Sequence, residues 1–197
     1  MFTAKDVQAL RQRTGAGMME CKKALQENNG DMDKSAEYLR AKGIAKAGQR
    51  SGKQTSEGLI TSYIHHNGKV GVMVEINCET DFVARTDDFR LLGREVALHI
   101  ASAAPLAIDR DGISEDKVAV ERRIAEEQAK ASGKPEAIVK RMVEGKVEAY
   151  FKDNTLMHQP WIREPKKTVG DLIKEASAKV GENIQVRRFV RYQMGEE

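Results

Sequence analysis

The chain has 197 residues, 40% of them hydrophobic, with a mean hydropathy of −0.56, which is enough to bury the core of one or two domains and excludes a disordered tail. No run approaches the roughly 18 apolar residues of a membrane span, and the start MFTAKDVQALRQ lacks the apolar stretch of a secretory signal. The net charge of +3, from 33 Lys/Arg against 30 Asp/Glu, argues against an obligate nucleic-acid binder.

Cys21 and Cys78 lie far apart with no CxxC pair, so neither a disulfide framework nor a thiolate zinc site is indicated. A soluble, cytoplasmic protein is expected. Its charge is uneven: 11 Lys/Arg against 6 Asp/Glu in residues 1–55, 15 against 19 in 56–165, and 7 against 5 in 166–197. A basic head on an acidic body suits an acidic partner surface, although solvated faces produce the same pattern.

The first 45 residues read as three short helices. Thr3 with Asp6 forms a cap, Val7 and Leu10 make an apolar stripe, and TGAG (residues 14–17) breaks the helix. Met18, Cys21, Ala24 and Leu25 then recur at helical spacing until Asn29-Gly30, and Asp31 opens a third helix with Ala36 and Leu39 inside and Gly43 at its end. Residues 46–57 have almost no apolar side chain and read as a mobile linker, so the head is expected to act as a tethered docking module.

Past the linker the period changes to two. Leu59–His65 and Val70–Asn77 flank the turn signal Asn67-Gly68, with Val70, Val72, Val74 and Ile76 on one face. Thr86 opens a helix whose Phe89, Leu92, Val96, Ile100 and Ala103 would cover that sheet, ending at Pro105. Residues 114–153 hold two charged amphipathic helices, opened by Ser114 and Pro135, with apolar positions Val118, Ile124, Ile138, Met142, Val147 and Phe151. Such a hairpin either packs on the body or projects from it. Thr168-Val-Gly-Asp171 starts a helix that stops at Gly181, and Ile184–Met194 resembles a strand returning to the sheet. The expected class is α+β: a three-helix head over 1–45, a linker over 46–57, a core over 58–165 with antiparallel sheet and helical hairpin, and a helix and strand over 166–197.

Enzyme chemistry finds little support. GAG at residues 15–17 lies between two helices, and no GxGxxG or GxxxxGKS/T occurs, so no phosphate loop and no direct nucleotide binding are expected. His65, His66, Cys78, Glu79 and Asp81 could be imagined as a metal set, but hairpin pairing places the turn histidines at one end and Cys78 at the other. No cofactor is expected. The stretch ETDFVARTDDF is different: Glu79 and Asp81 flank Phe82 at a strand-to-helix turn, where the aromatic either folds into the core or stands exposed for a partner.

LRQRTGAGMMECKKAL (residues 10–25) and EINCETDFVAR (residues 75–85) closely resemble the two signature stretches of the elongation factor Ts family, and KTVGDLIKEASAKVGENIQVRRF (residues 167–189) is similar to that family's C-terminal part. The resemblance spans nearly the whole chain. It implies a ubiquitin-associated-like three-helix domain on an α+β core. The implied function is that of a non-enzymatic guanine-nucleotide exchange factor, which binds elongation factor Tu carrying GDP, promotes GDP release and leaves a nucleotide-free complex that GTP resolves.

By the same resemblance, Thr80, Asp81, Phe82 and Val83 match the stretch whose aromatic inserts into the partner's GTP-binding domain and disturbs its magnesium and phosphate contacts. Asp81 either orients that wedge or engages a partner donor. Leu10, Arg11, Met18 and Met19 match the part of the head that docks on the partner, although the face Met18 shares with Cys21 and Leu25 favours a core position for it. The chain has one hairpin-plus-helix repeat where longer members have two, and its resemblance to the short members implies a homodimer. The apolar face of Val70, Val72, Val74 and Ile76 is expected to be the interface, the competing reading being a monomer in which residues 114–153 fold back over that face. An RNA- or ribosome-binding module, suggested by the basic head with Arg187, Arg188 and Arg191, is the alternative. It is weakened by an aromatic content of 5% and the absence of a basic-aromatic platform.

Overall fold

A computed structural model describes residues 2–196, whose contacts group into two compact units. The first comprises the chain up to Ile60 with Glu75–Gly93 and Leu172–Arg187; the second comprises Thr61–Val74, Arg94–Asp171 and the chain from Arg188 on. The class is α+β, with helices at the N-terminus and a small antiparallel sheet.

In the first unit, α1 (Ala4–Thr14) opens on the expected capping box: the Thr3 hydroxyl accepts from the Asp6 N–H while the Asp6 carboxylate accepts from the Thr3 N–H at 2.7 Å. Helix α2 (Met18–Glu27) and α3 (Met32–Arg50), capped by the Asp31 carboxylate on the N–H groups of Asp33 and Lys34, complete the head. Val7, Leu10, Cys21, Ala24, Leu25 and Leu39 form its core, with Phe2, Ala16, Met32, Ala36 and Tyr38 packed around them.

Helix α3 does not stop at Gly43. It spans Met32–Arg50, so the three-helix head runs past residue 45 and the first part of the expected linker is helical. A β-carbon on Gly43 would lie 2.9 Å from the Ala178 β-carbon; the glycine marks a close helix crossing rather than an end. The remainder is hydrogen-bonded to the C-terminal segment. The Ser51 and Lys53 carbonyls accept from the Asn183 side-chain amide at 3.3 and 2.8 Å, and the Thr55 hydroxyl donates to Gln185 at 3.3 Å.

Strands β1 (Glu57–Ile64) and β2 (Val70–Cys78) form the expected hairpin, closed by a bond from the His65 N–H to the Val70 carbonyl at 2.9 Å. Strand β5 (Gln185–Gln193) joins β2 on its other side, giving the order β1-β2-β5. Along β2, Val72, Val74, Ile76 and Cys78 are buried and Met73 is exposed, the period-two alternation of a one-sided sheet. After the short helix α4 (Asp81–Ala84), α5 (Asp87–Ala103) buries Phe89, Leu92, Val96 and Ile100 as its stripe predicts, and also Ala97 and His99.

In the second unit, α6 (Glu115–Lys130) and α7 (Glu136–Asn154) pack on each other through Ala125, Ala129 and Val143, flanked by Val139 and Met142. Ile124 and Ile138, expected on that seam, are exposed, because the close-packed positions are taken by alanines. Salt bridges Arg122–Glu144 and Arg110–Glu148 line the hairpin's surface. A two-stranded ribbon that the sequence did not reveal, β3 (Pro160–Trp161) with β4 (Glu164–Thr168), leads into α8 (Val169–Val180), which opens on a reciprocal Thr168–Asp171 cap and ends before Gly181. No helix among the described residues is long and apolar enough to cross a membrane.

Candidate partner-binding turn

Strand β2 ends at Cys78, and Glu79 and Thr80 turn the chain into α4. Thr80 is the N-cap: its hydroxyl accepts from the Val83 N–H at 3.4 Å. With that single turn of helix fixed, Phe82 projects with 80% of its surface exposed, the reverse of what a large aromatic ordinarily does. Asp81 pairs with Arg85 one turn on at 2.9 Å, and Val83 is half-buried. Thr80, Asp81, Phe82 and Val83 are thus together on one short turn, and the core reading of Phe82 is excluded.

The turn is held from beneath by residues distant in sequence. Both carboxylate oxygens of Glu182, in the α8–β5 loop, accept from it: one from the Glu79 and Thr80 N–H groups at 3.1 and 3.0 Å, the other from the Thr80 hydroxyl at 2.6 Å. In return the Glu79 carboxylate accepts from the Asn183 N–H at 2.7 Å. Arg50, the last residue of α3, grips Glu79 with two nitrogens at 3.1 and 2.8 Å, and Lys53 lies 3.9 Å away. The Arg50 guanidinium, then the Asn183 N–H, hold the Glu79 carboxyl below its ordinary value, and the hydrogen bond to Glu79 raises Arg50. The Ser177 hydroxyl donates to the Glu182 carbonyl, fixing the loop itself.

Cys78 lies beneath the turn and donates its thiol to the Thr80 carbonyl at 3.2 Å. Burial, reinforced by the negative charge of Glu182, pushes this thiol up to about 11, so near neutral pH it stays protonated and is a poor nucleophile. The turn is an aromatic projection held by hydrogen bonds on its inner side.

The four candidates on the head separate. Arg11 is exposed, and Met19 is 74% exposed on α2. Leu10 is fully buried in the three-helix core and is corrected from contact to packing residue. Met18 is 44% exposed and lies outside the head's core cluster, which corrects the core reading. The arginines of the RNA-binding alternative do not form one free patch, since Arg191 donates to the Ala101 carbonyl and pairs with Glu196 at 2.7 Å. Arg50, Glu182 and Asn183 were missed by sequence reasoning. Only the consecutive Glu182-Asn183 after the helix stop, polar residues at a turn, offered a signal.

A family model described as elongation factor Ts matches residues 4–196. An elongation factor Ts of Fervidobacterium nodosum is 53% identical over 195 residues, covering 99% of this chain and 99% of its own length. That of Moorella thermoacetica is 52% identical over 196 residues, 100% of this chain and 97% of its own, and that of Thermosipho melanesiensis is 50% identical over 196 residues, 100% of both. With the matched family spanning the described head, turn and C-terminal strand, this chain belongs to the elongation factor Ts family, the guanine-nucleotide exchange factors of elongation factor Tu in translation elongation.

Proposed function

We propose that Phe82 is the wedge by which this exchange factor drives GDP from elongation factor Tu, with Thr80, Asp81 and Val83 forming its base. The observation that carries this reading is an aromatic side chain 80% exposed on a turn whose backbone is hydrogen-bonded on its inner side. A factor that binds empty Tu more tightly than GDP-bound Tu lowers GDP affinity by the same ratio. A rigid ring supplies such a difference, because a close-packed partner cannot hold both the ring and its own original packing. GTP then resolves the nucleotide-free complex, and no covalent step occurs. Arg11, Met18 and Met19 form the second contact, the methionines supplying adaptable apolar surface. Asp81, paired with Arg85, orients the turn or engages a donor of the partner. The working form is a homodimer that binds two copies of Tu.

Stopped-flow release of a fluorescent GDP from Tu tests the wedge. Phe82→Ala is expected to slow factor-stimulated release about 5- to 150-fold, the span of ordinary allosteric coupling, while thermal stability changes by no more than about 0.5 kcal/mol because the side chain is not in the core. Wild-type release rates from the folded variant would remove the assignment.

A further inference from the structure

The wedge reading requires Phe82 to meet its partner in one orientation, yet α4 is a single turn with no buried residue of its own. An isolated turn of that length does not hold itself. Its order comes from elsewhere, and the hydrogen bonds say from where. Three donors of the turn, the N–H groups of Glu79 and Thr80 and the hydroxyl of Thr80, converge on the one carboxylate of Glu182. The Thr80 hydroxyl that donates to Glu182 also accepts from Val83, so the same atom links the clamp to the helix carrying Phe82. The opposite carboxylate, Glu79, returns the bond to the Asn183 N–H.

We propose that Glu182 is a positioning residue for nucleotide exchange: its carboxylate, reciprocated by Glu79, fixes the Thr80 cap and thereby the direction in which Phe82 projects. This rests on the wedge reading and deepens it. Glu182 touches neither Tu nor nucleotide in this role. It acts through the turn, by keeping the binding-competent orientation populated before Tu arrives; where that fraction falls, apparent affinity and coupling fall with it. Removing the carboxylate leaves the Glu79 and Thr80 N–H groups without their acceptor, and the turn rearranges to satisfy them with water.

The test is a double-mutant cycle on the full chain, read by fluorescent GDP release from Tu. Glu182→Ala alone is expected to slow stimulated release about tenfold, within the cost of misplacing a contact group by an ångström or so. In the Phe82→Ala background the same substitution is expected to cost less than about twofold, because there is no longer a ring to position. Amide hydrogen exchange of the free protein supplies an independent readout: protection at Thr80 and Val83 falls, while that of Leu25 and Ile76 is kept. Should Glu182→Ala not fold, Glu182→Asp, one methylene too short to span the three donors, enters the same cycle with the same expectation. A folded variant with wild-type release, an undiminished loss in the Phe82→Ala background, or unchanged protection at Thr80 overturns the proposal. If Phe82→Ala alone has no effect, the wedge reading fails instead; if only that variant is slow, the clamp alone fails.

Discussion

His99 is wholly buried on α5 and uses both ring nitrogens: Nδ1 accepts from the Ile162 N–H at 3.4 Å, and Nε2 donates to the Gln159 side-chain carbonyl at 3.0 Å. Gln159 in turn donates to the Ala103 and Asp153 carbonyls, so the neutral imidazole completes a fully paired network. Nearby Glu95 of α5 is engaged by Arg163. Burial lowers the His99 pKa from its ordinary 6.5, opposed by the Gln159 contact. The unfolded chain therefore takes up this proton at a higher pH than the folded one, and stability is full above about pH 6.5 and falls as the pH drops through that value toward the folded pKa, by up to about 1.4 kcal/mol per pH unit. Thermal melts between about pH 7 and pH 5.5 should show a larger loss for the wild type than for His99→Gln. Parallel curves would exclude His99 as the source. At the same scale, Phe82 shows what a residue's identity alone leaves open: an aromatic at a strand-to-helix turn has two plausible places, and the turn that exposes it is bonded to Glu182, 102 positions from Thr80.

At the scale of elements, the crossing of α3 with α8 depends on a missing side chain. Replacing Gly43 by Ala would gain about 1 kcal/mol of helix propensity and lose it to a methyl–methyl contact at 2.9 Å. Gly43→Leu removes that ambiguity, since no small displacement accommodates the larger side chain. It is expected to destabilise the protein by about 1–3 kcal/mol, measured as a drop in the denaturant midpoint, and an unchanged midpoint would show that α3 and α8 separate freely. The same glycine explains where sequence reading stopped short. Caps and periodic stripes are local, and Thr3–Asp6, Asp31, Thr168–Asp171 and the Phe89–Ile100 stripe were all legible. Gly43 is locally a stop, and only the distant Ala178 makes it a crossing. Likewise Ala125 and Ala129 carry the α6–α7 seam while Ile124 and Ile138 are exposed, because close approach selects small residues that no hydropathy stripe picks out. Within the site, the turn itself was legible as ETDFV. Its support was not, since Arg50, Glu79 and Glu182 are brought together only by folding. For the head this matters: a chain lacking residues 1–50 would lose the Arg50 grip on Glu79, so removing the head also loosens the support of the turn.

At the scale of the whole molecule the sheet has a second face. Val72, Val74 and Ile76 are buried within the chain, which corrects the expectation that they form the surface offered to a second copy. Strand pleating puts alternate residues on the other side, and there, in the second unit, Ile64, Met73, Val190 and Tyr192 are exposed at 65, 52, 39 and 72%. The hairpin of α6 and α7 closes its own seam, and the exposure of these four residues shows that no described part of the chain covers them. An apolar sheet face of this kind is an association surface or a liability. In a homodimer the same patch meets itself across a two-fold axis, and a specific interface would bury on the order of 1,200 to 2,000 Å². Sedimentation equilibrium at micromolar concentration is therefore expected to give a species of twice 22.0 kDa. Met73→Asp with Tyr192→Asp places two like charges opposite themselves in that interface and should shift the mass to 22.0 kDa with the fold retained, because neither side chain belongs to the core. A wild-type mass of 22.0 kDa throughout would refute the dimer. A dimer insensitive to both charges would instead place its interface elsewhere than on this face.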